Sequence, residues 1–270
     1  MTDRFRVAGL MYHEIADDPA SSGFQGRAAR RYAHTTATFA RHLERIAAGP
    51  LRPSLVTALD PARPADALLL TFDDGGRSAR YAAEELARRQ WTGHFFIVTA
   101  RLGERTFLAP ADLRAIRSLG HLIGSHSHTH PNIFPDQSGD AMREEWRVSV
   151  RMLEDLLGEP CLAASVPGGD LSSLVIETAA EAGFRYLLTS EPVLHPSRCG
   201  NCWILGRLCL KAETSPAAVG RLLRFRGWGR ARLDRRIKGV LRRALPWIYQ
   251  RYVGYTTRSV VRSASTAPGG

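Results

Sequence analysis

The chain has 270 residues, 44% of them hydrophobic and 23% charged, which is a globular composition and excludes a disordered chain. No apolar run approaches the roughly 18 residues that a membrane-spanning helix needs. The net charge of +11 is concentrated at one end: beyond Gly220 thirteen Arg and Lys residues face a single acid, Asp234, giving 13 − 1 = +12 and leaving 11 − 12 = −1 for the rest.

In chain order, Phe5–His13 reads as a buried strand, followed by loop to residue 35. Phe39, Leu43 and Ile46 recur at helical spacing within Thr36–Ala48, with a threonine cap at residue 35 or 36. The run PSLVTAL (53–59) predicts a short strand, and Ala67–Phe72 a fully apolar one. Helix is expected over Arg77–Gln90, Pro110–Leu119, Gly139–Leu157 and Ser172–Ala182. Strands are expected at TGHFFIVTA, HLIGSH, CLAASV, FRYLLTS and CWILGRLCL. Such alternation predicts an α/β protein with a mostly parallel sheet of about seven strands, better suited to a barrel than to two open sheets. In such barrels chemistry gathers at the C-terminal ends of the strands. The barrel is expected to occupy residues 1–218. A basic amphipathic helical extension is expected over 219–256 and an unstructured tail over 257–270.

Two motifs follow apolar strands. Asp73 and Asp74 stand side by side after Phe72, where two like charges need a cation between them. His126, His128 and His130 alternate in GSHSHTHPNI. On an extended strand all three would share a face, whereas a helical turn would pair only His126 with His130. With one aspartate the histidines make up a two-histidine, one-carboxylate set, which leaves positions open for water and substrate. The other aspartate can then act as a base.

TFDDG (71–75) and HSHTH (126–130), in this order and some fifty residues apart, resemble the first two motifs of NodB-type polysaccharide deacetylases, carbohydrate esterase family four. LMYHEI near the N-terminus and the strand-helix order over roughly residues 5–210 extend the resemblance. It implies a distorted (β/α) barrel that hydrolyses N- or O-acetyl groups from a sugar of a polysaccharide or lipid-linked glycan, with a divalent metal, zinc or alternatively cobalt. It also implies Asp73 as catalytic base, Asp74, His126 and His130 as metal ligands, and His128 at a variable position.

The third motif departs from the family's Arg-x-Pro-aromatic-Gly. In SVPGGD, Ser165 stands where the arginine would be and Gly168 where the aromatic would be, with Pro167, Gly168 and Gly169 expected at the substrate groove. In that family the arginine holds the base, so the orientation and basicity of Asp73 depend here on whether Arg207 or another arginine substitutes. The late Leu-x-His motif, source of the general acid, is not evident, which leaves His195 and His13 as candidates for that role. His94 is expected to be a satisfied core histidine. Asp170 is expected as a helix cap or a pocket residue. Tyr12, Trp91 and Trp203 could stack on sugar or pack the core.

Cys161, Cys199, Cys202 and Cys209 do not form a disulfide framework, and Cys199-x-x-Cys202 lacks a second pair for structural zinc. The N-terminus has no apolar region followed by a small-residue cleavage site, so the expected location is cytoplasmic. Residues 220–255 are suited to an anionic membrane or an acidic glycan, and nothing resembles a nucleic-acid module. Two other readings follow from the departures: a glycan-binding relic of the same fold, or another two-histidine, one-carboxylate metalloenzyme.

Overall fold

A computed structural model of the chain describes residues 5–60, 65–244 and 247. Its strands are β1 (Val7–Tyr12), β2 (Glu14–Ile15), β3 (Ala33–His34), β4 (Ala67–Phe72), β5 (His94–Ile97), β6 (Leu122–Ser125), β7 (Ala163–Ser165), β8 (Tyr186–Leu188), β9 (Ser197–Cys199), β10 (Cys202–Leu205) and β11 (Leu208–Cys209). Its helices are α1 (Arg27–Arg30), α2 (Thr36–Ala47), α3 (Ala79–Ala87), α4 (Pro110–Ser118), α5 (Gly139–Leu157), α6 (Ser173–Glu181), α7 (Pro216–Leu222) and α8 (Trp228–Ala244). The tail beyond residue 247 lies outside the described residues.

The sheet runs β1, β4, β5, β6, β7, β8, all parallel, with β11 flanking β1 and β10 flanking β8. Only Gly206 and Arg207 separate β10 from β11, so one stretch of chain pairs with β8 through its first half and with β1 through its second. That stretch joins the two ends of the curled sheet. The result is a distorted (β/α) barrel of the expected kind, its helices outside.

Side chains alternate between two apolar layers, as the period of a strand requires. Val7, Ala67, Leu69, Phe96, Ala163, Leu188 and Leu205 fill the barrel. Their neighbours Leu10, Tyr12, Leu68, Leu70, Phe72, Phe95 and Leu187 pack outward, in one core with Phe39, Leu43, Ile46, Leu86 and Trp146 of the helices. Full burial of one such side chain stabilises the fold by roughly 1.5–3 kcal/mol. Helix α2 opens at Thr35, whose hydroxyl accepts from the Thr38 amide at 3.1 Å.

The run 53–59 is not a strand. Pro53 makes one isolated bridge to Leu68, and Val56–Ala58 form a short 3₁₀ turn. The Val56 amide donates to His94 Nε2 at 2.8 Å, and Val56 packs into the barrel interior, so the segment plugs the barrel instead of lengthening the sheet. His94 is a satisfied core histidine as expected, its Nδ1 bonded to the Leu70 carbonyl at 2.9 Å. Trp91 is buried in the outer core, and Trp203 packs with the interior cluster. Ser172, not Asp170, caps α6. Helix α7 crosses residue 218, and Val219, Leu222 and Leu223 are buried in the same core as α2.

Candidate active site

Strands β1 and β4 pair in register from Val7↔Ala67 to Tyr12↔Phe72, so His13 and Asp73 emerge side by side at the mouth of the barrel. The Asp73 amide donates to the Tyr12 carbonyl at 3.0 Å, fixing that level. The chain then turns sharply. Asp74 takes φ 78° and Gly75 φ 77°, which swings the Asp74 carboxylate toward the end of β6. Beyond β6, Ser127 (φ 63°) and His130 (φ 59°) are also left-handed. Non-glycine residues rarely hold this conformation, and such strain clusters at functional sites.

These turns bring Asp74, His126 and His130 together. Their ligand atoms all lie within 4.8 Å of one another. His126 Nε2 is 3.4 Å and His130 Nε2 3.7 Å from Asp74 Oδ1. His126 Nδ1 is bonded to the Ser165 carbonyl at 3.0 Å. That bond places a proton on Nδ1 and turns Nε2 toward the carboxylate. Two imidazoles and one carboxylate fit a divalent cation of the zinc type, with open coordination positions. Among the described residues this is the one such cluster.

Charge accounts for the ionisation of the site. Burial opposes ionising Asp74, but the hydrogen bond from His126 and the charge of His13 outweigh it and hold the carboxyl well below its usual range. Burial pushes the His130 imidazole down to about 4, aided by His126. His130 is therefore neutral at physiological pH, as a ligand must be.

Asp73 lies just beside this triangle, its Oδ2 3.9 Å from His126 Nε2. Arg207 holds it with Nη1 to Oδ1 at 2.7 Å and Nη2 to Oδ2 at 2.9 Å. The same guanidinium donates to Thr71 Oγ1 at 3.0 Å, to Ser165 Oγ at 2.6 Å and, from Nε, to the Thr189 carbonyl at 3.2 Å. All five guanidinium N–H groups are used. Ser165 Oγ in turn donates a hydrogen bond to Asp73 Oδ2 at 2.8 Å. Burial works against the Asp73 charge, but Arg207 and His126 prevail and keep its pKa low. The arginine missing from the third motif is thus replaced from the two-residue link between β10 and β11. Gly9 makes room for it, since a Cβ there would lie 2.7 Å from Arg207 Cγ.

The other expected residues divide. His13 is half-buried at the mouth, packed on Tyr32 and 3.8 Å through Nδ1 from Cys209 Sγ, and its charge is felt by both aspartates. His195 does not join them. It is exposed, next to Leu194, whose carbonyl accepts from the Val7 amide at the start of β1, the far end of the barrel. Tyr12 faces outward, buried between Phe39 and Phe72 with its hydroxyl 3.2 Å from His42 Nδ1, so it cannot meet a ligand at the mouth. Pro167 and Gly169 are buried and Gly168 exposed in the loop that leaves β7 beside Asn132 and Ser190.

Three further residues shape the site without an evident sequence signal. Glu145 of α5 accepts from the His128 and Thr129 amides at 2.9 and 2.7 Å, clamping the histidine loop. Phe24 packs on the His130 ring at 5.0 Å. Glu14, buried beneath the aspartate turn, accepts from Ser22 and from Ser78 Oγ (2.6 Å), and burial pushes its carboxyl up to about 7.

The family model described as polysaccharide deacetylase matches residues 60–187, the segment holding Asp73, Asp74, His126, His130 and Ser165. This segment, just under half of the chain, is similar to the polysaccharide deacetylase family. Over these residues the chain is similar to enzymes that remove acetyl groups from polysaccharides. Similar solved structures include a polysaccharide deacetylase from Bacillus cereus, with 17% identity, 83% of this chain and 70% of that chain covered, and a TM-score of 0.69. A Streptococcus pyogenes deacetylase in complex with acetate has 18% identity, 82% and 99% coverage and a TM-score of 0.68. IcaB from Ammonifex degensii has 18% identity, 81% and 97% coverage and a TM-score of 0.66. At these identities the structures establish a common fold. No curated protein matches the chain.

Proposed function

We propose that the protein is a metal-dependent deacetylase that removes an acetyl group from an N- or O-acetylated sugar of a polysaccharide or lipid-linked glycan. The observation carrying this reading is the Asp74, His126 and His130 triangle with Asp73, fixed by Arg207, beside it. A divalent cation held there, zinc by the nature of the donors, supplies a Lewis acid for the acetyl carbonyl and lowers the pKa of bound water.

The protein's own groups do the rest. Asp73 is ionised and oriented by two hydrogen bonds from Arg207, so it takes the proton of the attacking water. Its own amide is spent on the Tyr12 carbonyl, which leaves the Gly75 amide to donate to the developing oxyanion. His13, just beyond the end of β1 and beside Asp73, delivers a proton to the departing nitrogen or oxygen. His195 stands at the opposite end of the barrel and is too far away for this role. The relic reading loses its main motive, because the tether lost at Ser165 is present at Arg207. The test is Asp73→Asn: acetate release from an acetylated chito-oligosaccharide should disappear while the metal content stays. An Asp73→Asn protein as active as the parent would refute the assignment.

A further inference from the structure

Helix α8 has two opposite faces. Trp228 is buried, its Nε1 donating to the Leu222 carbonyl at 3.1 Å. Seven residues on, Arg235 donates to the Gly169 carbonyl, to Asp170 Oδ1 at 3.3 Å and to Glu191 Oε1 at 2.9 Å. These acceptors lie on the loops that follow β7 and β8, so the inner face of the helix is tied to the rim of the barrel mouth. At 3.6 residues per turn, Leu233 and Ile237 lie roughly 160–200° round from Arg235. They are 58% and 51% exposed, and Trp247 is 61% exposed. Isolated apolar residues on a surface are ordinary, but two bulky aliphatics on one helical stripe are not randomly scattered.

Charge surrounds this stripe. Arg230, Arg232 and Arg236 are exposed along α8, and Arg221, Arg224 and Arg226 are exposed just before it. Among the described residues the ion pairs of α8 are those of Arg235, with Asp170 and Glu191. An apolar stripe between unneutralised arginines has one partner that satisfies both parts, an anionic lipid surface. A nucleic-acid backbone would use the arginines and leave Leu233 and Ile237 in water. A second copy of the helix would set arginine against arginine. No helix among the described residues is long and apolar enough to cross a membrane, which is consistent with a helix lying on the surface.

We propose that α8 docks the protein on an anionic bilayer, with Leu233 and Ile237 entering the headgroup layer between Arg230, Arg232 and Arg236. Arg235, on the opposite face, holds the barrel mouth at the membrane. The proposal does not depend on the reaction performed there.

The test is flotation of the full chain with phosphatidylcholine vesicles, with and without about 30% phosphatidylglycerol. Binding should require the anionic lipid and be lost at high salt. The double variants Leu233→Asp with Ile237→Asp, and Arg232→Gln with Arg236→Gln, should each lower the partition coefficient by at least about tenfold. Since the altered side chains are exposed, the thermal midpoint should not move. Equal binding to both vesicle types, or parental binding by both variants, would overturn the proposal. So would a dimer in light scattering that the aspartate variant dissolves, or tight binding of duplex DNA in the absence of vesicle binding.

Discussion

Arg207 grips both carboxylate oxygens of Asp73, at 2.7 and 2.9 Å, from 134 positions further along the chain. Both side chains are buried, at 0% and 2% exposure, so each is the other's main charge compensation. Breaking a buried pair by removing one partner typically costs about 3–5 kcal/mol. Arg207→Ala should therefore lower stability by that order and kcat by about 100-fold, because the base loses its orientation. Arg207→Lys should recover part of the stability but little of the rate, since a point charge cannot reproduce the planar fork. Denaturant melts and steady-state kinetics on both variants check this. An Arg207→Ala enzyme of parental kcat would show that Asp73 needs no tether.

Glu145 touches the backbone of the histidine loop, not the cluster itself. Its carboxylate also accepts from Thr129 Oγ1 at 2.6 Å. Glu145→Ala should leave the barrel folded and weaken zinc affinity by about 10–100-fold, as loss of an outer partner of metal ligands does elsewhere. Competition with a chromophoric chelator measures the change. Unaltered affinity would mean that the left-handed turns at Ser127 and His130 are held by packing alone.

His13 and His195 make opposite predictions. His13→Gln should lower kcat on an N-acetyl substrate by about 100-fold, more than on an activated aryl acetate, whose leaving group needs no proton. His195→Gln should match the parent on both. Equal losses on the two substrates would remove His13 from the acid role.

The triangle of Asp74, His126 and His130 was legible because its two motifs are local. Each sits at the end of a strand, and the strands order themselves. Arg207 was harder to read, because it interrupts the apolar run CWILGRLCL and its partner lies far away in sequence. A lone charge in a buried strand was the available signal. Strand parity also separates His13, which follows the inward series Val7, Gly9 and Met11, from Tyr12, which belongs to the outward series. The position of His195 follows from the chain's return to the start of β1 after β8, a path with no local signature. PSLVTAL carried strand composition, yet the His94 ring took the Val56 amide that a neighbouring strand would have needed.

His94 also sets an acid sensitivity. Burial holds its pKa down to about 4, against an ordinary value of 6.5, partly offset by the bond to the Leu70 carbonyl. Between those values the unfolded chain binds the proton and the folded chain does not. Stability is thus fully present above the unfolded value and is lost as pH falls. From about pH 7 to about pH 5 the loss from this one residue should be on the order of 2 kcal/mol. Chemical denaturation at both pH values should show a smaller drop for His94→Gln than for the parent. Identical drops would assign the acid sensitivity to other groups.

The central claim is tested most directly by stripping the protein with a strong chelator, then adding zinc back while acetate release from an acetylated oligosaccharide is followed. Release should vanish on chelation, return with about one zinc per chain, and fail to return in Asp74→Ala. Undiminished release from the stripped protein, or full recovery in Asp74→Ala, would contradict the account.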